Sequence, residues 1–272
     1  MDPGVELPGG ERIDVSCAFD DYDEGFFASG GLESLRQWID DGCEGCRAVP
    51  DGARIGPPVA RPSKIVCVGK NYADHAAEFD SEVPEEPVIF MKASSAYSGP
   101  EDPVVLPKGS VKSDYEVELA VVIGRTASNV SEEMAPLHIA GYSVMGDYTE
   151  RAFQKEMGGQ WTKGKSCDSF GPMGPVLVTR DEVSDPNDLR IWTKVNDQIR
   201  QNGYTRDMLF DVPYLISYIS RFMTLLPGDI IATGTPAGVG MGMKPPQFLK
   251  AGDRVEMGCE KIGFFKQRVL GG

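Results

Sequence analysis

Apolar residues along the chain arrive in short blocks separated by turn-forming clusters, a pattern that predicts many strands and few long helices. Strands are expected at residues 64–69 (KIVCVG), 88–92, 115–124 (YEVELAVVIG), 139–147, 176–178, 189–196, 229–233, 254–257 and 264–269. Between them stand PEEP, SGPED, SDPND, LPGD and KAGD, whose residues restrict φ and offer local side-chain bonds that reverse a chain. Two segments carry helical spacing instead. Residues 31–41 place Leu32, Leu35, Trp38 and Ile39 on one face, and residues 212–223 place Val212, Leu215, Ile216, Ile219, Phe222 and Met223 behind Asp211, a residue type that caps helix N-termini. Strands this numerous, without regular helices between them, argue against a parallel doubly wound sheet.

Composition sharpens the organisation. The 272 residues are 41% hydrophobic, enough for a sizeable core. The pattern changes near residue 60: an acidic, Gly-rich stretch precedes it and the first strong strand follows it, so residues 1–60 are expected as a small N-terminal module, 56–62 as a linker and 61–272 as the main domain. With 27 Lys and Arg against 41 Asp and Glu, the net charge is −14. Such a field repels nucleic-acid phosphates and anionic membrane surfaces, so neither is an expected partner. No stretch has the length and apolarity of a spanning helix, and the first residues lack a basic segment followed by an apolar one, so a cytoplasmic protein is expected.

The six cysteines, at 17, 43, 46, 67, 167 and 259, are scattered, and reduced thiols are the expectation. Cys43 and Cys46 form one C-x-x-C, but no second pair exists and only His75 and His138 could complete a zinc site, so a simple turn is expected there. Residues 159–166 (GQWTKGKS) spell a Walker A string. That loop needs a strand entering and a helix leaving, whose N-terminal amides hold the anion. Here a polar segment enters, and CDSFGPMGP, with Pro172 and Pro175, cannot continue as a helix. Residues 233–243 (TGTPAGVGMGM) are also Gly-rich; a loop whose amides approach a ligand carboxylate is expected, not a dinucleotide site.

The informative segment is YEVELAVVIG. Side chains two apart on a strand share a face, so Glu116 and Glu118 project side by side while Val117, Leu119 and Val121 point the other way. A second apolar strand, from 139, ends on Asp147. Three carboxylates at strand ends suit a hard dication such as Mg²⁺ or Mn²⁺, whereas zinc would favour His or Cys. Residues 71–78 (NYADHAAE) suit a short helix on which His75 and Glu78, three apart, meet on one face, and a carboxylate orienting an imidazole makes a general base. His138 has no such partner and is expected to be structural.

The runs KIVCVGKNYADHAAE, PVIFMKASSAYSGP, DYEVELAVVIG, GYSVMGDYTERAFQ, WTKGKSCDSFGP, MLFDVPYLISYISRFMTLLPGDIIATGTPAGVG and LKAGDRVEMGCEKIG together resemble the fumarylacetoacetate hydrolase family from about residue 62 to the end. The resemblance implies a mainly β (α+β) fold, a mixed β-sandwich roll, in a homodimer. It also implies Glu116, Glu118 and Asp147 as metal ligands, His75 and Glu78 as an acid–base dyad on a lid helix, and Lys165 as a catalytic lysine. Arg151, Gln154 and Thr235 match substrate-binding positions, and Lys92 lies near the site; Lys163 has no assigned role. The N-terminal stretch is similar to that of relatives assigned to the breakdown of 2,4-diketo-3-deoxy sugar acids, a step in carbohydrate acid catabolism.

The implied activity is metal-dependent hydrolysis of a C–C bond in a 2,4-dioxo acid, giving pyruvate and a carboxylic acid. Oxaloacetate decarboxylation, ureidoglycolate lysis and 2-oxo acid isomerisation would use the same metal site. A non-catalytic metal-dependent binding protein is the alternative of another class, which absence of the dyad or of Lys165 would favour.

Overall fold

The computed structural model describes residues 1–78 and 82–272. Residues 1–60 contribute three short strands, β1 (Gly4–Glu6), β2 (Arg12–Asp14) and β3 (Arg47–Ala48), which pair antiparallel in that order. Two helices follow β2, α1 (Glu24–Ala28) and α2 (Gly31–Asp40). Asp23 caps α1 by accepting from the Phe26 amide at 3.0 Å. The expected apolar face of α2 is only partly covered, with Leu35 buried.

The strands that carry the site are β4 (Ile65–Gly69), β5 (Val88–Lys92), β6 (Tyr97–Ser98), β9 (Val117–Ile123), β10 (Ile139–Gly146), β12 (Gly171–Thr179) and β15 (Ile230–Ala232). They form one seven-stranded mixed sheet in the order β5-β4-β15-β9-β10-β12-β6. β4 and β15 run parallel, as do β12 and β6, while β9 is antiparallel to both its neighbours. Every residue of β9 and β10 is buried, which explains why they read as continuous apolar runs.

A second sheet has the order β14-β13-β16-β17-β7, built from β7 (Val104–Val105), β13 (Arg190–Val195), β14 (Gln198–Tyr204), β16 (Arg254–Cys259) and β17 (Gly263–Leu270). Val117, Leu119, Val121 and Ile123 from β9 pack with Ile191, Val255, Met257 and Phe265 from this sheet, and the core is completed by α6 (Val212–Ser220) through Leu215, Ile216 and Ile219. Asp211 caps α6, accepting from the Tyr214 amide at 3.0 Å. On the opposite face of β9, Ala120 and Val122 join Ile65, Cys67 and Ile230 in a cluster with Ile13, Phe26, Phe27 and Leu35 of the N-terminal residues. The result is the expected mainly β roll, with strands alternating between two apolar layers. β14 was not expected: QIRQNGY lacks apolar alternation, and pairing with β13 places it. Two-residue strands β8 (Ser113–Asp114) and β11 (Thr149–Glu150) pair beside the sheet end. Among the described residues, no helix is long and apolar enough to cross a membrane.

Candidate active site

The pairing of β9 with β10 assembles the acidic centre. Met145 opposes Glu118 and Gly146 opposes Val117, and one step further the Asp147 amide donates to the Glu116 carbonyl at 2.8 Å. Opposed residues of an antiparallel pair share a face, so Glu116, just before β9, and Glu118, within it, meet Asp147, the residue that follows β10. Glu116, Glu118 and Asp147 are all buried, each offering a carboxylate oxygen within 4.8 Å of the others.

Three buried cations surround them. Lys92, last in β5, places Nζ 2.6 Å from Asp147 Oδ1 and 3.2 Å from the Tyr148 carbonyl. Lys165 ends the single turn α5 (Thr162–Lys165) and bridges Glu116 and Asp147. Its Nζ also sits 5.0 Å above the centre of the Phe90 ring. Arg151 opens α4 (Arg151–Lys155) and donates from Nη2 to Glu116 Oε1 at 2.6 Å.

These charges set the protonation of the centre. Burial by itself raises the pKa of Glu116, but Arg151 and then Lys165 outweigh it and hold this carboxyl well below its ordinary value. Glu118 goes the other way, pushed well above the carboxylate range by burial and then by the neighbouring Asp147. Burial opposes the charge of Lys165, yet Asp147 and Glu116 carry its pKa above the ordinary lysine value. Glu118 also accepts from the Gly234 amide at 2.8 Å. Three buried carboxylates whose oxygens converge make an all-oxygen donor set that fits a hard divalent cation.

The loop after β4 carries the second half of the site. Asn71 locks it: Nδ2 donates to the Phe210 carbonyl at 2.9 Å and the Thr233 carbonyl at 2.8 Å, while Oδ1 accepts from the Phe210 amide at 2.9 Å. The short helix α3 (Ala73–Ala77) follows, with His75 Nδ1 3.1 Å from Glu78 Oε2. Glu78 also accepts from the Gly238 amide at 2.8 Å, which joins this helix to the 233–243 loop. Only glycine fits at 234, where φ is +104° and a Cβ would stand 2.7 Å from that of Asn71.

The Walker string has another use. A helix, α4, precedes it and a strand, β12, follows it, the reverse of a phosphate loop. A Cβ on Gly164 would lie 2.6 Å from the Glu150 carbonyl and 2.7 Å from Gln154, so this glycine lets α5 seat Lys165 against α4. Lys163 points away, exposed and donating to the Met157 carbonyl. Gln154 is buried, 3.3 Å from Arg151 Nη1. The Thr235 hydroxyl donates to the Val117 carbonyl at 2.8 Å and accepts from Gln201 at 2.7 Å.

Two buried residues of this network were not singled out from the sequence, Asp114 and Gln201. Asp114 had a signal, since it shares the parity of Glu116 and Glu118. Gln201 had none, because it lies on the polar strand β14. Elsewhere, Cys43 and Cys46 are free thiols on a turn closed by the Cys46 amide to the Cys43 carbonyl at 3.1 Å, as expected. His138 is half-buried, with Nδ1 3.3 Å from the Arg125 carbonyl.

Residues 64–270 match the family model described as fumarylacetoacetate (FAA) hydrolase C-terminal. A curated protein of Burkholderia ambifaria, named no more definitely than a hydrolase, is 50% identical over 262 residues, which are 96% of this chain and 92% of that protein. Among solved structures, fumarylacetoacetate hydrolase from Exiguobacterium antarcticum superposes with a TM-score of 0.84 at 40% identity, covering 99% of this chain and 95% of that one. Maleylpyruvate hydrolase from Sphingobium sp. SYK-6, solved with manganese(II) and pyruvate, gives 0.82 at 33% identity, covering 99% and 96%.

Proposed function

The chain belongs to the fumarylacetoacetate hydrolase family, and from that premise we propose that it is a divalent-metal-dependent hydrolase that cleaves a 2,4-dioxo acid between C3 and C4 into pyruvate and a carboxylic acid. The observation that carries this reading is the conjunction of an all-carboxylate centre with a carboxylate-oriented histidine on the adjoining loop. It is supported by the similar hydrolase that holds manganese and pyruvate, since pyruvate is the fragment such a cleavage leaves. Both solved relatives superpose over 99% of the chain, so residues 1–60 belong to a shared architecture and do not single out a sugar-acid tail.

In this reading Glu116, Glu118 and Asp147 hold Mg²⁺ or Mn²⁺. The cation supplies positive charge for the electron pair left on the three-carbon fragment when the bond breaks. The chain's own groups do the rest. Glu78, paired with Nδ1 of His75, orients the imidazole, and His75 takes a proton from water as its oxygen adds to C4. The Lys165 ammonium stabilises the oxyanion that forms at C4. Collapse of that oxyanion breaks C3–C4 and makes the new carboxylic acid, and the proton held by His75 returns to C3 to complete pyruvate. Arg151 Nη1 and Gln154 receive the substrate carboxylate, because Arg151 Nε and Nη2 are already committed to protein carboxylates.

A panel of 2,4-dioxo acids, oxaloacetate and ureidoglycolate, assayed with Mg²⁺ or Mn²⁺, tests the proposal. Equal release of pyruvate and a carboxylic acid from a dioxo acid is expected. Fastest turnover of oxaloacetate to CO₂, or of ureidoglycolate to urea, would replace it with the corresponding decarboxylase or lyase.

A further inference from the structure

Asp114 is a fourth carboxylate beside the centre, fully buried at the end of β8. Its Oδ1 accepts from the amides of Tyr115 at 2.9 Å and Gly240 at 2.7 Å. Its Oδ2 accepts from the Met241 amide at 3.0 Å and from Arg151 Nε at 2.9 Å, with Arg151 Nη2 also 2.9 Å away as an ion pair. One anion therefore terminates two structures of the site. The first is the guanidinium of Arg151. The second is the Gly-rich loop, whose Gly238 amide holds Glu78 and whose Gly238 carbonyl accepts from the Tyr115 hydroxyl at 3.1 Å.

The donor count gives this arrangement its consequence. Arg151 has five N–H groups in a rigid fork. Asp114 and Glu116 take those of Nε and Nη2, so the Nη1 edge, with its single 3.3 Å contact to Gln154, is the edge turned to a ligand. Without the Asp114 anchor, the guanidinium would keep Glu116 and the longer Gln154 contact alone and could swing about Glu116. The loop amides would lose their acceptor at the same time, and with them the backbone that holds Glu78.

We infer that Asp114 is a positioning residue: it aims the Nη1 edge of Arg151 at the substrate carboxylate and fixes the 238–241 loop against which Glu78 rests. This rests on the reading of Arg151 as the carboxylate contact. Substitution by Asn keeps the shape, but one face of the amide then points N–H donors at either Arg151 or the loop amides, where only acceptors fit. Substitution by Ser avoids that conflict and leaves room for water.

The test uses the full chain loaded with Mn²⁺ and pyruvate as the probe, with calorimetric titration as the readout. Asp114→Asn and Asp114→Ser are expected to weaken pyruvate binding about tenfold, the scale of an unpaired buried donor, while Mn²⁺ affinity stays within about threefold. With a turned-over dioxo acid, KM rises more than kcat falls. Placed on Arg151→Gln, neither substitution weakens pyruvate further, because the group through which Asp114 acts is gone. Unchanged pyruvate affinity in the Ser variant, additive losses in the double variant, or two variants that do not fold would each overturn the inference. If pyruvate does not bind the wild-type Mn²⁺ form, the function reading fails first and the inference falls with it.

Discussion

Two acidic regions of this protein show what burial does to one kind of residue. Asp20, Asp21, Asp23 and Glu24 lie in the N-terminal stretch, exposed or half-buried, and their visible structural work is local: Asp23 caps α1. Asp114, Glu116, Glu118 and Asp147 are buried, and three cations, Lys92, Arg151 and Lys165, are drawn in to meet them. In water a carboxylate is satisfied by solvent, so neighbouring ones are tolerated and do little. Away from water each needs a partner, and a cluster that outnumbers its partners becomes a place for a dication. The lesson is that the number of acids near one another in sequence says little about chemistry; the number left under-neutralised in the interior says much.

The comparison is most directly broken by Asp147→Ala. It removes a ligand and the shared partner of Lys92 and Lys165. Turnover is expected to vanish, and Mn²⁺ affinity in titration calorimetry to fall by more than the ~10 to 100-fold that loss of an outer partner of a metal ligand costs. Thorough chelation of the wild type should likewise abolish turnover, with recovery on adding Mn²⁺ or Mg²⁺. Full activity in either case would remove the buried cluster from the chemistry.

His75→Ala acts on the adjoining loop and leaves the carboxylates in place. A loss of ~10² to 10⁴ in kcat is expected, with Mn²⁺ binding retained in the same titration; loss of the metal as well would make His75 part of the cluster. Lys165→Met removes the ammonium shared by Glu116 and Asp147. It should cost ~10² to 10³ in kcat, measured at saturating metal so that changes in metal affinity do not enter.

The smallest effect belongs to the exposed region. Asp23→Ala deletes the cap of α1 and should lower stability by ~1 kcal/mol in chemical denaturation, with kcat unchanged. A matching loss of activity would mean that the N-terminal residues, which share an apolar cluster with Ala120 and Val122 on the face of β9 that also carries Glu118, transmit to the centre.

Local patterning in the chain was sufficient for most strands, for the capped helix α6, for the shared face of Glu116 and Glu118, and for the His75–Glu78 pair three residues apart. It also disposed of the Walker string, since Pro172 and Pro175 forbid the helix that such a loop requires. Each of these is set by neighbours within a few residues, through backbone sterics, side-chain alternation and capping, and such information is written in consecutive letters. The tertiary structure alone decided the rest. The register of β9 against β10 puts Asp147 opposite Glu116, pairing with β13 turns polar QIRQNGY into β14, and the approach of the Gly-rich loop brings amides to Asp114 and Glu78. Those arrangements depend on which distant segments share a core, and a contact between residues tens of positions apart leaves no period in either segment to be read.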